Sequence, residues 1–377
     1  MAAAGEGGLG AALRMPRPAS GTERGAPSPA AAGRYWSLNT VRALLGLSVL
    51  LYHLSGTIAL DKYFGVDAFA RVFGFGGARV PFFFVLSGFV MTLFYAKDFG
   101  RTDRAAGFLW RRFVRLFPTY WIIMATALAV AWLLPGFAHA LPDDPWVLLQ
   151  ALLLLPQPTG VAGATGAPVI IVAWTLHYEI VFYLVLAAWI HSRALGLAVC
   201  SALVANALVC QLGGGGFHSR FLAGEAMLYF AVGAGAATLV RRLPPLPHAL
   251  PLAWVALAAY LAVAVLAHGG EVDIEAMADP NIFYVLLAAV LLVCLVKAEA
   301  ARPPQRSSAL MQALSDSSYA LYLLHFPMVS ALCKLAVALG LSGVGGALLT
   351  FAVALPVCVG GALLFHRLVE RRLLALR

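Results

Sequence analysis

From Leu38 onward the sequence is a succession of long apolar blocks separated by short polar punctuation. A helix crosses the hydrocarbon layer in about 20 residues. Within lipid the backbone must satisfy its own amides and carbonyls, so blocks of this length fold as a bundle of spanning helices. The blocks predict spans at about 37–58, 78–96, 116–135, 168–190, 194–212, 221–240, 249–267, 281–297, 313–337 and 343–365. The expected fold class is therefore all-α, a polytopic transmembrane bundle of about ten helices. Composition agrees, since 62% of the 377 residues are hydrophobic and only 11% charged, against roughly a quarter charged in soluble domains. The stretch from Trp146 to Leu155 is apolar but too short to span, and reads as a re-entrant or interfacial helix.

Residues 1–33 are rich in Ala, Gly, Pro and Ser, hold no sustained apolar run, and read as a disordered cytoplasmic tail. The first apolar stretch is too long for a signal-peptide core and is expected to stay as the first helix. A membrane domain then occupies 34–372, with 373–377 a cytoplasmic C-terminal tail. A net charge of +9 would suggest nucleic acid if the bases formed one stripe. Instead they flank apolar blocks, which points to membrane lipids as partners and away from nucleic acid. Lys97, Arg101, Arg104, Arg111, Arg112, Arg115, Arg193, Arg241, Arg242, Lys297, Arg302, Arg306, Arg367, Arg371, Arg372 and Arg377 fall on one side of the ten spans. Asp143, Asp144, Glu271, Asp273, Glu275 and Asp279 fall on the other. The basic side is the cytoplasmic one by this pattern, and both termini lie there. The five cysteines are scattered through apolar blocks without metal-ligand spacing, and read as small buried hydrophobes.

Ionisable groups at membrane depth are costly and usually face a cavity or a partner. Three stand out: His53, Glu179 and His325. In RALLGLSVLLYH, residues 42–53, Arg42 and His53 share a helix face about 16 Å apart along the axis. That places a charge near the cytoplasmic mouth and a histidine deeper in the same channel. His53 is suited to accept a hydroxyl proton, or it packs against a neighbouring helix. Glu179 shares a face with Tyr183, whereas His177 points away and reads as a packing or supporting group. Glu179 can orient a histidine, bind an acceptor hydroxyl or lock two helices together. Ser318, Tyr322 and His325 form a polar track, and Pro327 brings a possible kink and a released carbonyl nearby. His53, Glu179 and His325 are expected to reach one cavity.

FLWRRFVRLFP, residues 108–118, brings Arg111, Arg112 and Arg115 to the entrance of the third span at i,i+3 and i,i+4 spacing. Phosphates fit such a cluster, and so do topology and lipid headgroups. No Walker loop or GxGxxG accompanies it, so nothing points to ATP or a redox nucleotide.

These segments together resemble the acyltransferase 3 family, integral membrane O-acyltransferases that modify bacterial surface carbohydrates, over approximately residues 35–370. RALLGLSVLLYH resembles the opening Arg-to-His segment, PFFFVLSGFV at 81–90 the phenylalanine-rich LSGF segment, and WRRFVRLFP at 110–118 the basic RxxRLxP region. WTLHYEIVFY at 174–183 resembles WSLxxExxFY, with Thr175 in place of serine, and SYALYLLHFP at 318–327 resembles SYxxYLxHxP. The specificity lies in their ordered combination.

The resemblance implies transfer of an acyl group, most often acetyl, from acyl-CoA to a hydroxyl of a polysaccharide, oligosaccharide or lipid-linked sugar. The setting it implies is a bacterial cytoplasmic membrane, with glycan-assembly proteins as possible partners. His53 is the favoured base, with Glu179 orienting the histidine or the acceptor and His325 assisting proton movement or thioester activation. Arg111, Arg112 and Arg115, extended by Arg42, are the expected donor-phosphate group. No metal is expected. The competing class is a secondary transporter or flippase for an acylated or lipid-linked carbohydrate; kinked polar spans suit it, but the two halves show no evident inverted repeat.

Overall fold

Among the described residues, ten helices are long and apolar enough to cross a membrane, and all regular structure is helical. They are α1 (Trp36–Ala59), α2 (Arg79–Tyr95), α3 (Thr102–Leu133), α4 (Trp174–His191), α5 (Arg193–Gln211), α6 (Glu225–Arg242), α7 (Ala249–His268), α8 (Ile282–Ala300), α9 (Ser318–Ala338) and α10 (Gly343–Phe365). This computed structural model describes residues 35–74, 78–134, 142, 144–162, 165–269, 281–303 and 307–376. The N-terminal tail 1–33, Asp143, Glu271, Asp273, Glu275, Asp279, Arg306 and Arg377 lie outside them.

Several boundaries depart from the sequence expectation. The third helix begins at Thr102 and not near 116, because arginines end a hydropathy block without ending a helix, for which they have good propensity. Arg111, Arg112 and Arg115 therefore sit on α3 itself, inside the bundle, and not in a loop at its entrance. The last span continues beyond 365 through a π-helical turn, His366–Glu370, into Arg371–Leu374. The fourth starts at Trp174 because Val169 takes a left-handed φ of 66° ahead of a 3-10 turn at Ile171–Ala173. A separate helix, Ala309–Asp316, precedes α9. The short apolar segment forms a helix of two turns, Pro145–Leu152, capped by Asp144, whose Oδ1 accepts from Trp146 N at 2.8 Å. Tyr120 and Trp121 of α3 donate to its last carbonyls, Ala151 O and Leu152 O, each at 2.8 Å.

Lipid offers no hydrophobic gain for joining apolar helices, so close packing and polar ties do the work. Where α2 crosses α6, two glycines bring the backbones together. A Cβ on Gly88 would lie 2.2 Å from Phe230 O, and one on Gly233 would lie 2.1 Å from Val85 O. Aromatic rings fill the space beside this crossing, with Phe230 stacked on Phe182 at 4.3 Å and tilted against Phe84 at 4.9 Å. The open amides at the start of α1 are satisfied by Glu299 from the end of α8, which accepts from Trp36 N at 2.8 Å and from the Ser37 hydroxyl. The turn from α2 to α3 needs Gly100 at φ 86°, and its amide donates to Trp189 O at 3.0 Å. α5 buries only Gly196 and leaves Leu197, Val204 and Leu208 exposed, a surface suited to lipid.

Ten successive crossings reverse direction each time, which puts the N-terminus of α1 and the C-terminus of α10 on one face together with Lys97, Arg101, Arg193, Arg241 and Arg242. This is called the basic face below. The ends of α1, α3, α5, α7 and α9 lie on the opposite face.

Candidate active site

A cavity of about 1180 Å³ runs between α1, α2, α3, α4, α9 and α10. Arg42, Arg111, Arg112, Arg115, Arg367 and Arg371 surround its basic-face end, against the carboxylates of Glu179 and Asp316. His53, Tyr52 and Arg79 line its other end. Six of the seven sequence-nominated residues thus line one space. His325 is the exception and stands directly behind His53, with ring centroids 5.1 Å apart.

The histidine pair has a defined arrangement. His325 is 1% exposed, and its Nδ1 lies 3.0 Å from Leu321 O. A carbonyl only accepts, so Nδ1 carries the hydrogen and Nε2 keeps a lone pair. Among the described residues that Nε2 has no hydrogen-bond partner. The carbonyl engaged is Leu321's, one turn back, and not the Leu323 carbonyl that Pro327 deprives of an amide. His53 is held edge-on by Tyr52 at 5.0 Å and Phe326 at 5.4 Å. One turn before His325, the Tyr322 hydroxyl donates to Val172 O at 2.7 Å and shares a 2.7 Å bond with Thr175 Oγ1. His53 lines the cavity and can take a proton from a hydroxyl there, with the His325 ring packed behind it.

Glu179 belongs to the other end. Its carboxylate accepts from the Tyr183 hydroxyl, the i,i+4 neighbour, and Arg112, Arg115 and Arg42 are within electrostatic reach. Among the described residues its partners are Tyr183 and cations, and no contact ties it to His53. Arg112 lies against the rings of Tyr95, Tyr183 and Phe108 at 5.6, 5.7 and 5.8 Å, and donates to Tyr95 at 3.3 Å. Among the described residues, the buried Nε atoms of Arg111 and Arg112 have no hydrogen-bond acceptor. Donors left open in a basic pocket fit phosphate oxygens.

Arg115 is less free than its sequence neighbours. Its guanidinium pairs with Glu370 at 2.8 Å, and the other oxygen of Glu370 meets His366 Nδ1 at 2.7 Å. Glu370 is completely buried. The π turn of residues 366–370 carries both His366 and Glu370, and such turns recur at functional sites. Sequence reading missed this group, because a single acid among Arg367, Arg371 and Arg372 looks like part of a topology signal. It also missed Arg79, which is buried, faces the Tyr52 ring at 4.4 Å and lines the cavity beside His53. His177 faces a different, smaller cavity, consistent with its orientation away from Glu179. No group of three or more His, Cys, Asp or Glu able to hold a metal occurs among the described residues.

Comparison with known proteins bears directly on this arrangement. The family model described as an acyltransferase domain, that of the acyltransferase 3 family, matches residues 35–367. The exopolysaccharide production protein ExoZ of Rhizobium meliloti is 31% identical over 80% of this chain and 90% of its own length. Protein 2 in the picA locus of Rhizobium radiobacter is 28% identical over 41% of this chain and 82% of its own. The acyltransferase MdmB of Streptomyces mycarofaciens is 29% identical over 46% of this chain and 45% of its own. No solved structure matches. The matched region takes in all ten helices and the whole cavity wall up to Arg367, and on that evidence the chain belongs to the acyltransferase 3 family and is a multi-pass membrane acyltransferase.

Proposed function

We propose that the protein transfers an acyl group, acetyl in the first instance, from acyl-CoA to a hydroxyl of a cell-surface or exported carbohydrate. The observation that carries this reading is the single cavity with arginines at one end and a histidine pair at the other. A CoA head is too polar to enter lipid, so its phosphates rest among Arg42, Arg111, Arg112 and Arg115 while the thioester reaches inward. His53 accepts the proton of the acceptor hydroxyl as its oxygen attacks the thioester carbonyl carbon. The tetrahedral intermediate then collapses, the carbon–sulfur bond breaks, and the CoA thiolate takes the proton back. His325 supports His53 from behind, and Glu179 with Tyr183 arranges the arginines. The basic face is the cytoplasmic one in this reading, in a bacterial cytoplasmic membrane with both termini inside. ExoZ, named for exopolysaccharide production, supports a carbohydrate acceptor.

The test is protein-dependent formation of an alkali-labile ester in membranes given labelled acetyl-CoA and defined glycans. A folded, donor-binding protein that acylates none of a broad carbohydrate panel defeats the proposal. Reconstituted movement of a carbohydrate without covalent transfer favours a transporter instead.

A further inference from the structure

A second cavity, of about 550 Å³, lies within the roughly 300–1,000 Å³ range of small-molecule sites. The start of α4, the helix Phe217–Leu222 ahead of α6, and Pro156, Gln157, Thr159 and Thr165 line it. These elements all lie on the face opposite the arginines, the face toward which His53 is placed on α1. Thr165 and Trp174 line both cavities, so the smaller one adjoins the reaction chamber through a shared wall.

Its lining is amphipathic in a specific way. Tyr178 and Phe221 are stacked at 4.2 Å, and Trp174 meets Tyr178 edge-on at 6.2 Å, which gives a flat aromatic wall. Gln157 is 4% exposed. Its Nε2 is engaged with Val147 O at 3.1 Å, while among the described residues its Oε1 has no donor. The backbone of Gly166 passes close to Gln157, since a Cβ on Gly166 would lie 2.3 Å from Gln157 O. His177 and the exposed Arg220 add polar groups.

An acyl chain would leave the Gln157 oxygen buried and unsatisfied, at a cost of about 1–3 kcal/mol, and an anion would meet that oxygen with nothing to donate. A sugar ring suits both surfaces, with a C–H face for the aromatic wall and hydroxyl donors for the amide oxygen. We infer that this cleft is the acceptor subsite, binding a sugar ring of the glycan and delivering an adjacent hydroxyl past Trp174 and Thr175 to His53. The inference rests on the acyltransferase reading above and names where its acceptor sits.

The experiment uses the full chain in detergent. The probe is labelled oligosaccharide released from the host's own surface polysaccharide and stripped of esters with mild alkali. Saturable binding without donor is expected, weakened about tenfold in Phe221→Ala and measurably in Arg220→Ala, a rim change that leaves the packed interior alone. Gln157→Leu tests the buried acceptor at nearly constant volume. The same variants are expected to raise KM for the oligosaccharide by a similar factor, with KM for acetyl-CoA within twofold. His53→Ala, deprived of the proposed base, is expected to bind the oligosaccharide like wild type. Absence of saturable binding, or wild-type affinity in all three cleft variants, overturns the subsite. Cleft-dependent binding without any ester formation supports the subsite and overturns the transferase reading, so the two fail separately.

Discussion

Glu370 offers the sharpest test of how the arginine-lined end of the cavity is built. The carboxylate is completely buried and joins Arg115 at 2.8 Å to His366 at 2.7 Å, so Glu370→Ala strands a cation. Ordinary hydrogen bonds between membrane helices couple by only about 0.6 kcal/mol on average, which would be a small effect. Removing one partner of a buried ion pair costs more, about 3–5 kcal/mol, because the other charge stays uncompensated. Arg115 keeps 22% of its side chain exposed and opens onto the cavity, so water recovers part of that, and the expected loss sits at the lower end, about 3 kcal/mol. Glu370→Gln keeps the shape and one acceptor, and should lose about half as much. Thermal unfolding of the purified protein should fall by about 4 °C for the alanine variant, using roughly 1.3 °C per kcal/mol for a chain of 377 residues. Arg115→Met in the same background completes a double-mutant cycle, with an expected coupling on the order of 2 kcal/mol. Coupling below about 0.5 kcal/mol would show that the pair is incidental and refute the reasoning.

Three further outcomes follow from the same geometry. His53→Ala should lower acyl transfer by about 10²- to 10⁴-fold with membrane abundance unchanged, and wild-type turnover in the folded variant rejects His53 as the base. Gly233→Ala places a methyl within 2.1 Å of Val85 O and should cost roughly 1–3 kcal/mol by overpacking, read as reduced abundance and earlier thermal unfolding; a protein as stable as wild type would mean that α2 and α6 separate freely. Arg111→Ala together with Arg112→Ala should raise KM for acetyl-CoA at least tenfold, most visibly at low donor, whereas unchanged donor dependence assigns both arginines to topology.

The spans were legible because hydropathy follows directly from solvent, whereas of the three groups expected to reach one cavity His53 and Glu179 line it and His325 packs behind His53. Tyr183 as a partner of Glu179 could be read from i,i+4 spacing. The other partners of Glu179 could not, since Arg42, Arg112 and Arg115 come from two other helices and only the packing brings them together. Hydropathy also misplaced the start of α3 and missed the π turn and short helix that carry the last span on past Phe365. A window scale treats charge as the end of a span, while a helix with arginines facing an internal cavity simply continues. Glu370 was hidden by the same cause, and the second cavity by another, since Gln157, Tyr178 and Phe221 lie far apart in the chain and none is unusual alone.

The length of α3 has a consequence of its own. Its 32 residues extend about 48 Å, far more than the hydrocarbon layer of about 30 Å, so even a strongly tilted α3 cannot be fully immersed. Arg111, Arg112 and Arg115 stand about 14–20 Å from its first residue, where the overhang meets the bilayer edge. The depth at which these arginines sit is therefore set by acyl-chain length in the surrounding lipid as well as by the protein. Reconstitution in short-chain and long-chain phospholipids becomes a way to raise or lower these arginines relative to the headgroups without changing a single residue.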